Sequence, residues 1–112
     1  MAIDEGLSQR VRETLLNLAD FADISERRMF GGNVTMVNGH MTCGVGNNGL
    51  MLRVGARQHA AALARDFARP MDFTGRPMKG FIYVDPEGLE DDHELAQWLQ
   101  LSLDFVLSQP PK

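Results

Sequence analysis

The middle of the chain reads Asn33-Val34-Thr35-Met36-Val37-Asn38-Gly39-His40-Met41-Thr42-Cys43-Gly44-Val45. Apolar and polar residues alternate on both sides of Asn38-Gly39, and this alternation is the period of a strand with one buried face. Asparagine and glycine both tolerate the positive φ angles of the tight turn that joins two antiparallel strands. These residues therefore predict a β-hairpin.

The same kind of pattern continues toward the C-terminus. A second turn at Asn47-Asn48-Gly49 leads into an apolar run at 50–54, which completes a three-stranded antiparallel meander. Residues 57–65 are rich in alanine and predict a short helix, which Pro70 prevents from continuing. Two further strands and the loop between them follow, at residues 71–73, 81–84 and 74–80.

Both ends of the chain predict helices. In residues 4–20 five side chains share one stripe at the helical period: Leu7, Val11, Thr14, Leu15 and Leu18. Near the other end Asp91 is a candidate N-cap with Glu94 three residues later, the spacing of a capping box. This last helix is predicted to run to about Ser108, before Pro110.

The predicted fold is an α+β domain of two layers, in the order α-β-β-β-α-β-β-α. Its sheet has five strands, is mainly antiparallel, and has the helices packed against it. The chain of 112 residues is 44% hydrophobic and 23% charged, which fits one globular domain. We expect a single domain over residues 1–112, with an ordered core at about 4–108.

The composition also sets expectations about location. No apolar stretch approaches the roughly 20 residues of a membrane span, and the acidic start of the chain does not resemble a signal peptide. The single cysteine, Cys43, has no partner for an intrachain disulfide. We expect a cytoplasmic protein that does not contact membranes.

Charge is distributed unevenly along the chain. Residues 27–80 carry eight arginines or lysines and two acids, whereas 81–112 carry seven acids and one lysine. The net charge of −4 therefore hides a basic middle. Such a segment could contact nucleic acid, but strand alternation leaves open whether its arginines share one face.

Four residues near the start of the basic segment are candidate contacts for an anion or a partner: Arg27, Arg28, Gly31 and Gly32. Glycines let successive N–H groups converge on an anion, and arginines add charge. In the alternative interpretation, which we favour, they form a tight turn into the first strand, with Met29 in the core and the arginines paired to helix acids. Arg76 and Lys79, on the loop that Pro77 stiffens, are candidates of the same kind or simply polar loop residues.

The sequence predicts no catalytic residues, no metal site and no cofactor. His40 and Cys43 lie three residues apart in one strand, so they should point to opposite faces and cannot act as a pair. His59 and His93 lie on separate predicted helices without a metal-ligand spacing. We expect Cys43 to be a small core residue and His40 to lie at the surface.

The last helix carries more apolar surface than one sheet face needs. The excess could be buried under the first helix, or it could form a dimer surface through Trp98, Leu101 and Phe105. The methionines interleaved with the strands have two interpretations as well. They could pack in the core, or they could line an adaptable binding surface.

Two motifs resemble a known family. Arg27-Arg28-Met29-Phe30-Gly31-Gly32 after an N-terminal amphipathic helix resembles the N-terminal domain of the TfoX/Sxy family. Met71-Asp72-Phe73-Thr74-Gly75-Arg76-Pro77-Met78-Lys79-Gly80, followed by Tyr83-Val84-Asp85-Pro86-Glu87-Gly88-Leu89, resembles its short single-domain members. The resemblance covers about residues 4–108 and implies the same element order.

The resemblance also implies a function. The family's two-domain members regulate competence genes, as co-activators beside the cyclic-AMP receptor protein. We expect this chain to lack the second, C-terminal domain of those members, and it has Asn33-Val34-Thr35 where relatives often carry glycine or an aromatic residue.

We therefore expect a non-catalytic regulatory or adaptor module that contacts an unidentified protein partner, or a second copy of itself in a homodimer. The alternative is a direct nucleic-acid binder that uses residues 27–80, and the third interpretation is an uncharacterised small-molecule or enzymatic role.

Overall fold

The hairpin around Asn38 and Gly39 is present in a computed structural model of the chain, which describes residues 4–29, 32–46, 49–72 and 77–110. Both turn residues have positive φ, 53° at Asn38 and 83° at Gly39. The strands they connect are antiparallel, with Val37 opposite His40. This part of the prediction is confirmed.

The described residues form three α-helices, one 3-10 helix and six strands. In chain order these are α1 (Glu5–Leu18), β1 (Ile24–Met29), β2 (Gly32–Val37), β3 (His40–Val45), β4 (Leu50–Arg53), α2 (His59–Leu63), β5 (Ala68–Asp72), β6 (Pro77–Val84), the 3-10 helix (Pro86–Leu89) and α3 (Asp92–Val106). The mixed class and the positions of the three helices agree with the prediction.

The sheet has six strands, so the predicted count of five is wrong. The additional strand is β1, which pairs antiparallel with β2 and forms one edge of the sheet. The spatial order is β1-β2-β3-β4-β6-β5, and every neighbouring pair is antiparallel. Three consecutive charged residues in β1 hide the apolar alternation from which the other strands were predicted.

The strand at the opposite edge, β5, begins three residues earlier than predicted. It contains Pro70, whose register partner is Ile82 in β6. Proline lacks the N–H that a central strand would donate, and it is tolerated where one side of the strand is not paired. Pro70 therefore lies within an edge strand rather than before the strand.

A β-bulge between β2 and β3 changes which side chains of β3 face the helices. Thr35 lies opposite Cys43, whereas the next residue, Met36, lies opposite Met41. The extra residue is Thr42, and it inverts the alternation on its N-terminal side. His40 therefore lies opposite the core residue Val37.

Two predictions about His40 are corrected by this bulge. The side chain is 7% exposed and its Nε2 lies 2.6 Å from the carbonyl oxygen of Pro110, so it is not a surface residue. It also lies on the same face as Cys43 rather than on the opposite one. Cys43 itself is fully buried in the core, as predicted.

One hydrophobic core lies between the sheet and the helices. α3 packs on β3 and β4, and α2 packs on β5 and β6. The buried strand residues of this core are Val37, Cys43, Val45, Leu50, Leu52, Ile82 and Val84. They alternate along their strands, so these core residues share the face of the sheet on which the described helices pack.

The two long helices largely follow their predicted pattern. In α1, Leu7, Val11 and Leu15 are buried, but Leu18 is 37% exposed and does not belong to the stripe. In α3 the predicted N-cap is present, because the Asp91 carboxylate accepts hydrogen bonds from the backbone N–H groups of the next turn.

Candidate functional site

Arg27 and Arg28, the pair singled out in the sequence, point to opposite faces of β1. Arg28 forms an exposed ion pair with Glu5 of α1, 3.6 Å between Nη2 and Oε2. Glu26, two residues away, accepts two hydrogen bonds from Arg12 of α1, at 2.7 and 3.1 Å. Because alternate residues share a face, Arg27 projects from the side that the helices do not cover. The two arginines therefore do not converge on one anion.

The structure describes some of the candidate glycines and loop residues but not others. Gly32 is buried in β2, and a Cβ atom there would lie 2.6 Å from the backbone oxygen of Val45. Close packing of two strands explains this glycine without an anion. Gly31 and Arg76 lie outside the described residues, so an anion site that includes them stays a prediction. Lys79 is exposed on β6.

The side of the sheet that the described helices do not cover, called the helix-free face below, collects residues from all six strands. Each of these residues either alternates with core residues along its strand or lies directly opposite such a residue on the neighbouring strand. The set is Arg27, Val34, Met36, Met41, Gly44, Met51, Arg53, Phe81, Tyr83 and Arg69. By alternation three arginines of the basic segment start from this face, a point that the sequence left open, although the Arg53 guanidinium also reaches Phe105 of α3.

Two of these arginines lie over aromatic rings. The Arg53 guanidinium carbon is 5.8 Å from the centre of the Phe81 ring and 5.1 Å from that of Phe105 in α3. Arg69 lies 5.7 Å from the centre of the Tyr83 ring and forms an ion pair with Asp85. Each contact is a cation–π interaction that also keeps a guanidinium at the rim of the face.

Methionines form the middle of the helix-free face. Val34 and Met51 are only 2% and 3% exposed, although they do not belong to the core beneath the helices. They meet over Gly44, where a Cβ atom would lie 3.2 Å from Met51 Cε and 3.3 Å from Val34 Cγ2. Met36 and Met41 are half-buried beside them. Methionine is flexible and polarizable, so such a surface can adapt its shape to a partner.

The predicted dimer residues of α3 are mostly used inside the domain. Trp98 is 2% exposed and lies beneath Arg65, whose guanidinium carbon is 4.4 Å from the ring centre. Leu101 and Phe105 are half-buried. Trp98 is therefore buried within the domain, and a dimer surface on α3 stays a prediction.

A groove of about 570 Å³ that sequence reasoning missed lies beside Trp98. It runs between the end of α2 and the start of α3, and its lining includes Arg65, Phe67 and Glu94. Phe67 is 49% exposed and has a φ of 71°, unusual for a bulky residue. No sequence signal marks this position, because the conformation depends on the turn between α2 and β5.

Among the described residues three ionisable groups have shifted pKa values, and the hydrogen bond to Glu26 raises the pKa of Arg12. Burial raises the pKa of the Cys43 thiol to about 12, an effect that a hydrogen bond with Thr35 only partly offsets. The thiol is therefore protonated at neutral pH. The Arg12 hydrogen bond lowers the pKa of Glu26, against a smaller opposing effect of burial. Glu26 is therefore held as a carboxylate beside α1.

The strand arrangement and the motif residues can now be compared with known families. The family model for the TfoX N-terminal domain matches residues 17–106 of the chain. The chain belongs to the TfoX N-terminal domain family. The match runs from the end of α1 to the last residue of α3, so this TfoX N-terminal domain includes every strand of the helix-free face. The resemblance seen in the sequence is confirmed.

Two other comparisons add nothing to the family assignment. Searches of the curated proteins and of the solved structures each returned no match. Within residues 4–29, 32–46, 49–72 and 77–110, no helix is both long enough and apolar enough to cross a membrane.

Proposed function

We propose that this TfoX N-terminal domain is a non-catalytic regulatory or adaptor module of the competence-regulator type, which binds another protein through its helix-free face. The family assignment supports the regulatory part of the proposal. The observation that carries the rest is the composition of that face, where adaptable methionines lie between arginines on strands far apart in the sequence.

The geometry of the arginines favours protein over nucleic acid. Proteins that bind single strands stack bases on open aromatic rings, but Arg69 and Arg53 already lie over Tyr83 and Phe81. Acidic residues from 85 to 104 also give the rest of the domain a charge that repels a long polyanion. A protein partner needs neither open rings nor a wholly basic domain.

The state of two reactive side chains supports a non-catalytic role. The Cys43 thiol is buried, and its pKa of about 12 removes the thiolate that a nucleophile requires. The buried His40 ring has its Nε2 at hydrogen-bonding distance from a backbone carbonyl. Both groups have structural surroundings rather than access to a substrate.

The test is photo-crosslinking in the native host. A photo-reactive residue replaces Met41 at the centre of the helix-free face, and in a matched control it replaces Gln97, which is exposed on α3. We expect a discrete protein adduct from position 41, lost when Arg27 is changed to Glu, and no such adduct from position 97. Adducts from position 97 alone, or from neither position, would contradict the proposal.

The nucleic-acid alternative is tested by anisotropy of labelled DNA and RNA over a salt series. Binding that weakens steeply with salt and with Arg27→Glu or Lys79→Glu would replace the protein-binding proposal, because phosphate contacts depend strongly on salt. We expect no binding at 50–100 mM salt, roughly the range in which such contacts are still strong.

A homodimer through α3 would have to use Leu101 or Phe105, since Trp98 is buried. Sedimentation of the wild type and of Leu101→Glu measures this separately. A dimer that the substitution dissociates would support self-association, and a wild-type monomer at high micromolar concentration would exclude it.

A further inference from the structure

Among the described residues, the outer edge of β1 has no paired strand. We propose that an extended, acidic segment of a protein partner adds to this edge as a further antiparallel strand, with a carboxylate beside Arg27. The inference rests on the proposed function in that the occupant is a protein, but it uses the edge of the sheet rather than its face.

The two edges of the sheet differ in their ability to accept a strand. β5 contains Pro70, which has no N–H to donate and so interrupts any ladder formed along that edge. β1 spans Ile24–Met29 and contains no proline. Among the described residues, β1 pairs only with β2. Strand addition is therefore possible at β1 and hindered at β5.

The register shows which backbone groups of β1 point outward. The Asn38 N–H donates to the Asp23 carbonyl at 2.7 Å, and the Asp23 N–H donates to the Asn38 side chain at 3.0 Å, so these residues face each other across the ladder. In an antiparallel ladder such hydrogen-bonded pairs recur at every second residue, so Ser25 and Arg27 also direct their N–H and C=O groups toward β2. The N–H and C=O groups of Ile24, Glu26 and Arg28 therefore point away from β2.

The charges along β1 favour an acidic occupant. On the helix side Glu26 is paired with Arg12, and Arg28 is paired with Glu5. On the helix-free side Arg27 is exposed and its register partner is the uncharged Val34. A carboxylate on the added strand, opposite Arg27, would complement this charge.

The same charges disfavour a second copy of the chain as the occupant. In such a dimer, β1 of one copy would pair antiparallel with β1 of the other over nearly its whole length. The helix sides of the two sheets stay on the same side only if the residue that lies opposite its own copy is Glu26 or Arg27. The first register places two glutamates opposite each other. The second places two arginines opposite each other and also puts Glu26 opposite Arg28 of the other copy, but these two are already paired with Arg12 and Glu5 of their own chain. Like charges directly opposite are destabilising.

The experiment uses a capped seven-residue peptide of alternating threonine and valine with glutamate at its centre, and a matched peptide with lysine there. Amide hydrogen exchange of the full chain is followed by NMR. With the glutamate peptide we expect added protection at Ile24, Glu26 and Arg28 but not at Ser25 and Arg27, whose N–H groups already face β2. The lysine peptide should bind at least tenfold more weakly.

Two substitutions at Arg28 test whether peptide binding depends on the backbone N–H at the edge of β1. Arg28→Pro removes an outward N–H and should weaken peptide binding at least tenfold, whereas Arg28→Thr removes the same charge but keeps the N–H and should retain most of the binding. Thermal unfolding of both variants shows whether they remain folded. Arg27→Glu should reverse the preference between the two peptides.

The outcomes distinguish this inference from the proposed function. Absence of alternating protection at millimolar peptide would overturn the edge proposal and leave the crosslinking result at Met41 unaffected. Equal loss in Arg28→Pro and Arg28→Thr would also overturn it, as would the same protection produced by oligothymidylate. Protection that grows with protein concentration without peptide would identify a second copy as the occupant and contradict the proposal.

Discussion

A Cβ atom on Gly55 would lie 2.3 Å from Cδ1 of the Phe105 ring. Gly55 also has a φ of 82°, a conformation that residues with a Cβ atom rarely adopt. This glycine therefore lets α3 approach the end of β4, and it keeps Phe105 in place beneath Arg53.

Gly55→Ala should lower the free energy of unfolding by about 2 kcal/mol or more, because backbone strain and a clash with a packed ring add together. The measurement is urea denaturation followed by circular dichroism. The matched control is Gly46→Ala, since nothing lies within 4 Å of a Cβ atom there. Equal losses in the two variants would contradict the packing argument.

Cys43 should resist thiol reagents in the folded protein at pH 8 and react quickly in guanidinium, because burial keeps it protonated. Stability should also depend on pH. The unfolded thiol loses its proton near 9.0, but the folded one keeps it up to about 12. The contribution of this thiol to the free energy of unfolding is therefore fully present below pH 9 and is lost as the pH rises toward 12.

The check is the difference in unfolding free energy between wild type and Cys43→Ala, measured at several pH values from 7 to 11. The difference should be constant up to about pH 9 and then move in favour of the alanine variant. Other titrating groups affect both proteins alike. A difference that stays flat to pH 11 would show that the thiol ionises normally.

Glu26→Gln should destabilise the protein more at pH 7 than at pH 3. The pKa of Glu26 is lowered in the folded state, chiefly by the Arg12 hydrogen bond. Its contribution is therefore present above the ordinary value of 4.5 and is lost as the pH falls below it. Glu13→Gln, also on the surface, is the control. The measurement is urea denaturation at both pH values. Equal behaviour of the Glu26 variant and the control would contradict the prediction.

Arg65→Ala should shift the fluorescence of Trp98, the only tryptophan, to longer wavelength and reduce stability by about 0.5–1 kcal/mol. The reason is that the guanidinium covers the ring at 4.4 Å, so its removal admits water. Arg57→Ala, at an exposed arginine, should change neither quantity. Identical spectra for the two variants would show that Arg65 does not shield the ring.

Local chemistry explains the parts of the fold that the sequence predicts. The turn at Asn38-Gly39 depends only on the φ angles that those two residues tolerate, and the start of α3 depends on a carboxylate at Asp91. The alternation in β2 and β6 depends on burial of one face. Each signal lies within a few residues, so no knowledge of tertiary structure is needed.

β1 escapes prediction because two of its inward positions are charged. Glu26 and Arg28 face α1, where Arg12 and Glu5 neutralise them. The partners are more than ten residues away, so a search for apolar alternation does not find the strand. The helix-free face escapes for a related reason, because the grouping of Arg27, Arg53 and Arg69 follows from the strand order β1-β2-β3-β4-β6-β5.

His40 shows how one inserted residue changes a functional interpretation. Strict alternation places it opposite to Cys43, but the bulge at Thr35/Met36 inverts the direction of the residues before it. Sequence reasoning has no means to locate a bulge in a short strand. The register of β2 and β3 must be seen before the surroundings of His40 are known.

The grouping of three arginines on the helix-free face has a consequence for the rate of association. The acids between 87 and 104 lie in the 3-10 helix and α3 or beside them, on the other side of the sheet from Arg27, whereas Arg69 is already paired with Asp85. The molecule therefore carries an electric dipole across its sheet. The electric field of a negatively charged partner would exert a torque on this dipole and turn the helix-free face toward the partner before contact. Association should therefore be fast at low ionic strength and slow as salt screens the dipole, even where the final affinity changes little.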